Sequence, residues 1–203
     1  MEPILYYLTT TNNISQQNRI GLLSLTTFNY FDYNLKIYMG IERRTERSKL
    51  VMDNWKRLFK SIDAKDYKNG ILLAEDDVLM LKGWSEIKEK VDYNRLNWIV
   101  YQKKFMDKTK EFTAGAQLIY IPHLKIEWFK EKLLNSKSIH FDRFLSKLDI
   151  YYPYAPKECG IEIIRESATT LTMRGHISLD KATKVFEKLK LKKLTTSCHP
   201  CIV

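Results

Sequence analysis

The segment Ile71-Leu72-Leu73-Ala74 is apolar at every position and stops abruptly at Glu75-Asp76-Asp77. A strand apolar on both faces must be covered on both faces, so it belongs inside a sheet layered between helices. The pattern before it agrees. Ile4 to Leu8 is a β-rich run ending at Thr9-Thr10-Thr11. A helix is expected from Ser15 to about Phe28, with Ile20, Leu23 and Thr27 along one face. Leu35 to Met39 alternates as a second strand and ends at Gly40. From about Thr45 to Asp63 an amphipathic helix gathers Leu50, Val51, Trp55, Leu58, Phe59 and Ile62 on one stripe. The order β-α-β-α-β implies parallel strands joined by right-handed crossovers. The expected fold class is α/β, a central, mainly parallel sheet flanked by helices.

Further strands are expected at Trp98 to Tyr101 and at Ala116 to Ile121, the latter closed by Pro122. Helices are expected at Trp84 to Val91, at about 123–135 and at about 140–148. Short strands follow at Tyr151 to Tyr154 and Ile161 to Ile164, and a last helix at Ser178 to Leu191. No repeat or low-complexity linker interrupts the 203 residues, which suit one domain over 1–194 with a flexible tail over 195–203.

Composition excludes several classes. With 44% hydrophobic and 29% charged residues the chain is not generally disordered, and seven Gly and five Pro exclude a collagenous or linker-rich one. No apolar run approaches the roughly 20 residues that span a bilayer, and Met1-Glu2-Pro3 lacks the basic start of a signal peptide. The expectation is a cytoplasmic protein (host cytoplasm for a viral one) without membrane insertion. Three cysteines do not make a disulfide framework. Cys198-His199-Pro200-Cys201 has the spacing of half a zinc site or a redox pair, yet no matching second pair exists, and it reads as part of the tail. The formal charge of +10 favours a polyanionic partner or is a solvated lysine surface. Six lysines concentrate in Lys181 to Lys193.

In an open α/β sheet, ligands bind beyond the carboxyl ends of the strands. Glu75-Asp76-Asp77 lies there, and crowded carboxylates repel unless a cation or proton compensates. Oxygen ligands suit Mg²⁺ or Mn²⁺, ions that bridge the oxygens of a diphosphate. The plain alternative is a solvated acidic turn.

These residues, after a β-α-β-α-β start, resemble a GT-A glycosyltransferase, a Rossmann-like fold with an acidic "DxD" motif. Leu72 to Asp77 is similar to the "LEDD" segment of lipopolysaccharide-type and small viral transferases. Phe112 to Tyr120 resembles the "G-x-x-x-Y/I" strand that follows the motif. The motif departs from the family in its first position, Glu75. The resemblance implies a transferase moving a sugar from a nucleotide-diphosphate-sugar, a UDP-sugar such as UDP-glucose, to an acceptor hydroxyl, with Mn²⁺ or Mg²⁺ as cofactor. It implies that Asp77 holds the metal while Glu75 and Asp76 make ribose or outer contacts. Thr9 and Thr11 would line the nucleoside pocket. Arg43, Arg44 or Arg47 would meet the uracil or diphosphate, or simply form a basic loop and helix start.

Three later residues gain roles the same way. Asp142, off the apolar stripe Phe141, Phe144, Leu145 and Leu148, resembles the base of inverting enzymes, or is a first-turn acid favoured by the helix dipole. His176 resembles the C-terminal metal histidine, or is a surface loop residue, and Arg174 would neutralise the leaving diphosphate. The acceptor is either DNA with hydroxymethylated bases or a glycan.

Two other classes compete. Asp76 or Asp77 with Glu86-Ile87-Lys88 imitates the D…E-x-K signature of metal-dependent nucleases, which requires E-x-K on a strand where a helix is expected here. A non-catalytic nucleic-acid-binding protein would account for the charge but not for the acidic cluster.

Overall fold

The computed structural model describes residues 2–9, 17–40, 47–75, 78–80, 82–106, 110–154, 161–164, 176–177, 184 and 187. Strand β1 (Ile4–Thr9), helix α1 (Gln17–Tyr30), strand β2 (Leu35–Met39), helix α2 (Arg47–Lys60) and strand β3 (Ile71–Glu75) follow in order. β1 lies between β2 and β3 and is parallel to both. The chain therefore steps from β1 to β2 in one direction and from β2 to β3 in the other. Right-handed crossovers in opposite directions must lie on opposite faces. The core obeys: Phe28 of α1 packs with Leu5, Tyr7, Leu72 and Ala74, whereas Trp55, Leu58 and Phe59 of α2 pack with Tyr6, Leu8, Ile71 and Leu73. Each strand splits its side chains by the period of two.

Beyond β3 come β4 (Val78–Met80), α3 (Trp84–Ile87), β5 (Leu96–Met106), β6 (Lys110–Ile121), α4 (Ile126–Asn135), α5 (Phe141–Leu145), β7 (Ile150–Tyr151), β8 (Ile161–Ile164) and β9 (His176–Ile177). The main sheet has the order β2-β1-β3-β6-β5-β7, and β4-β8-β9 form a second sheet. β6 is antiparallel to both β3 and β5, and β7 is parallel to β5, so the sheet is mixed. α4 and α5 join α2 on one face, where Phe59 and Phe129 meet edge to face at 5.1 Å. Each such aromatic burial contributes about 1.5–3 kcal/mol. α1, α3 and β4 cover the other face.

Several elements differ from expectation. α3 stops at Ile87, whose carbonyl accepts a tighter bond from the Lys90 amide, and buried Asn97 organises the segment beyond: its side-chain amide donates to the carbonyls of Asp92 and Arg95 and accepts from the Asp92 amide. α5 ends at Leu145, where tighter bonds from Lys147 to Phe144 and from Leu148 to Leu145 replace the helical ladder. β7 begins one residue before Tyr151 and does not reach Tyr154. β4 and β9 match no expected element, and β5 and β6 extend well past their expected bounds. Of the expected helix over 178–191, only Lys184 and Glu187 are described, both helical and exposed. Among the described residues no helix is long and apolar enough to cross a membrane.

α1 runs two residues past Phe28 and closes with paired bonds from Tyr33 to Phe28 and from Asp32 to Asn29, with the Phe28 and Tyr33 rings 5.4 Å apart. This closure puts Asp32 at φ 55, a left-handed conformation that favours glycine. Asp32→Gly is expected to stabilise the fold by about 1 kcal/mol, raising Tm by roughly 2–4 °C in a thermal melt. An unchanged or lowered Tm would contradict this account of the helix end.

Candidate active site

The parallel strands β1, β2 and β3 bring their carboxyl ends to one edge. Thr9 pairs with Met39 there, and Leu8 pairs with Glu75. The chain direction switches between β1 and β3, so a crevice opens outside these two ends. Half-buried Glu75 follows Ile71 and Leu73 on the α2 face of the strand. Gly40 closes β2 at the same edge, against buried Asn54 of α2. A Cβ on Gly40 would stand 2.6 Å from Asn54 Nδ2, so glycine permits this close approach of helix and strand.

Two side chains here read in the sequence only as members of a strand and of an apolar helix stripe. Tyr38 lies in the row Tyr38–Leu8–Glu75, and its hydroxyl is buried without a hydrogen-bond partner among the described residues. Burial raises its pKa, opposed by the Arg57 charge, so the hydroxyl stays protonated as a donor. The indole N–H of Trp55, on the same face, is likewise buried without a partner among the described residues. Nothing in the periodicity distinguishes these two from ordinary core aromatics.

Asp76 and Asp77 lie outside the described residues, but the chain is fixed on both sides of them. Glu75 ends β3 and Val78 begins β4. β4 is held against α1 by two fully buried hydroxyls: Ser24 Oγ donates to the Val78 carbonyl, and Thr27 Oγ1 accepts from the Met80 amide at 2.9 Å. On its far side β4 pairs with β8, which pairs with β9, in the register Val78–Ile163–His176. His176 is thus a strand residue level with Val78, the first residue after the acidic pair. Two strand spacings separate the backbones, about 10 Å.

Asp142 sits in the first turn of α5, half-buried, with Oδ1 accepting from the Arg143 amide at 2.8 Å. α4 follows β6 from the opposite edge of the sheet, and after α5 the chain returns to that edge in β7, which pairs with the start of β5. The start of α5 lies at this turn-around, where Phe141 meets Trp55 of α2 with ring centroids 6.0 Å apart.

Thr9 and Arg47 have backbone positions at the carboxyl end of β1 and the start of α2. Thr11, Arg43, Arg44 and Arg174 lie outside the described residues, as do Asp76 and Asp77. Among the described residues no group of three or more His, Cys, Asp or Glu gathers as a metal centre. Glu86 and Ile87 lie in α3, so the E-x-K triplet does not have the strand that the nuclease signature requires.

β5 and β6 continue past this edge. β3 pairs with β6 only over Leu118 to Ile121, while the β5–β6 ladder runs on to Met106 and Lys110. Register shifts between Trp98 and Val100 and between Val100 and Gln102 mark where the two-stranded arm leaves the sheet.

No protein-family model matches the chain, and no curated protein matches it by sequence. In structure it is similar to a glycosyltransferase involved in the glycosylation of the major capsid of PBCV-1. The TM-score is 0.51 at 12% identity, covering 92% of this chain and 100% of that one. It is also similar to a protein from STIV, with a TM-score of 0.41 and 13% identity, over 77% of this chain and 83% of that one. The first likeness concerns the fold, a glycosyltransferase-like Rossmann arrangement with a mixed six-stranded sheet.

Proposed function

We propose that the protein is a glycosyltransferase that takes a sugar from a nucleotide-diphosphate donor, a UDP-sugar, and transfers it to an acceptor hydroxyl. The observation that carries this reading is the buried strand β3 ending in Glu75 at the switch point, with the acidic pair next in the chain. The likeness in fold to the PBCV-1 capsid glycosyltransferase supports it. Thr9 and Thr11 line the nucleoside side, and Arg43, Arg44 and Arg47 meet the base or diphosphate. Glu75 and Asp76 contact the ribose or orient their neighbours.

Asp77 and His176 would hold Mn²⁺ or Mg²⁺. The register that sets His176 level with Val78 fits such a pairing. When bound, the ion supplies positive charge against the diphosphate oxygens. Asp142 takes the acceptor's hydroxyl proton as that oxygen bonds to the anomeric carbon and the diphosphate departs with the electron pair of the broken C–O bond. Arg174 neutralises the leaving group. The acceptor is a modified DNA base or a glycan, and the six lysines of Lys181 to Lys193 suit the former.

Calorimetry tests the donor site. UDP binding should require Mn²⁺ or Mg²⁺, and Asp77→Ala should weaken it at least about 100-fold without unfolding the protein. Equal UDP binding in chelator would remove the ion from this reading. An ion that binds with no preference for a nucleotide diphosphate would reopen the nuclease.

A further inference from the structure

We infer that strand β2 is a docking edge for a second copy of this chain, and that two copies pair their β2 strands antiparallel about a two-fold axis at Ile37. β2 is the outer strand of the main sheet, with β1 as its neighbour on one side. The register fixes which backbone groups remain on the other side. The Leu5 amide donates to the Asn34 carbonyl at 2.8 Å, and Leu5 pairs with Leu35 in parallel. Along such a ladder alternate residues turn both backbone groups toward the same neighbour. Lys36 and Tyr38 therefore face β1, while Leu35, Ile37 and Met39 direct their N–H and C=O away from it. Among the described residues no strand pairs with that outer side.

The side chains at this edge are as uncovered as its backbone. Ile37 is 54% exposed and Met39 48%, and of the three outward residues only Leu35 packs against the core. Edge strands are ordinarily guarded by proline or by projecting charges. β2 holds no proline, and its one charged residue, Lys36, lies back over the Tyr6 ring with Nζ 5.8 Å from the centroid. An unguarded edge pairs with a complementary strand, and this one is complementary to itself, as a two-fold contact requires. With Ile37 opposite its own counterpart and Leu35 opposite the counterpart of Met39, the two edges exchange about six N–H···O bonds. Apolar residues then meet along one face. On the other face Lys36 stands opposite the counterpart of Tyr38, so like charges do not confront each other. The product is one continuous sheet, in which the strand edges carrying Thr9 and Glu75 point in opposite directions and neither copy covers the other's crevice.

Sedimentation of the full chain tests the pairing. Over roughly 1 to 500 μM, the range in which a small interface associates, monomer should pass reversibly into dimer. Ile37→Lys sets two like charges face to face on the axis and should weaken dimerisation at least about tenfold. Its Tm should stay that of the unaltered chain, because the replaced side chain is exposed. Ile37→Pro removes the outward N–H, leaves the bonds to β1 in place and should weaken the dimer likewise. Leu124→Lys, at an apolar side chain 76% exposed outside β2, should leave the equilibrium unchanged. Hydrogen exchange reads the register: the amides of Ile37 and Met39 should gain protection as concentration rises, while those of Lys36 and Tyr38, directed to β1, should not. A chain monomeric at every concentration would overturn the proposal and leave the edge to an extended segment of another protein. A dimer that Ile37→Lys and Ile37→Pro both leave intact would overturn it as well.

Discussion

Replacing Asp142 by Asn is expected to slow sugar transfer roughly 100-fold while donor binding and the melting temperature stay close to the unaltered values. A 100-fold loss is about 2.7 kcal/mol of transition-state stabilisation, within the range for removal of a general base. The variant is clean because Asp142 does not hold α5 in place. Phe141, Phe144 and Leu145 do, buried against the α2 face of the sheet. The amide oxygen of Asn can keep the contact with the Arg143 amide that Asp142 Oδ1 makes. Only the ability to take a proton is lost. Turnover unchanged in steady-state assays would return Asp142 to the role of a helix-start acid and reopen a retaining mechanism.

Gly70→Ala carries the larger structural consequence. Gly70 precedes β3 at φ 84, where an L side chain is strained, and its amide bonds to the Tyr67 carbonyl. An added Cβ would lie 2.5 Å from the backbone oxygen of Ile121 and 2.7 Å from the Tyr120 ring. Neither yields easily: Ile121 is in the β3–β6 ladder, and the Tyr120 hydroxyl donates to Asn69 O at 3.0 Å. Strain and clash together are expected to cost about 3 kcal/mol, lowering Tm by roughly 6–12 °C. Gly83→Ala is the control, since its Cβ would meet nothing nearer than 3.6 Å, at Ser85 Oγ. Equal melting of the two variants would contradict this account of the turn.

The first half of the fold was legible because its burial repeats at the two periods that sequence can display. Strands β1, β2 and β3 and the body of α2 lie where alternation and the 3.6-residue stripe put them. β4 and β9, at three and two residues, are too short to express any period. His176 therefore read as a loop residue. The direction of β6 follows from chain length: too few residues separate it from β5 for a crossover, so the pair must be antiparallel. The outer half of β5 was invisible because Lys103, Lys104 and their neighbours show no regular apolar alternation, whereas that of β6 was marked only by the resemblance of Phe112 to Tyr120 to a family strand. Around the candidate site, the position of Glu75 at the carboxyl end of β3 was readable from the abrupt end of an apolar run. Ser24 was not, because a buried serine announces itself only through the strand it bonds to.

The arm formed by β5 and β6 separates two kinds of change open to such a chain. Residues inserted between Met106 and Lys110 would lengthen the ribbon by about 3.4 Å per added rung. They would leave untouched the register of Leu118 to Ile121 with β3, and with it the geometry around Glu75. The length of the arm can thus drift from one descendant to the next while the six-stranded sheet beneath it, and the strand edge that ends in Glu75, stay constant.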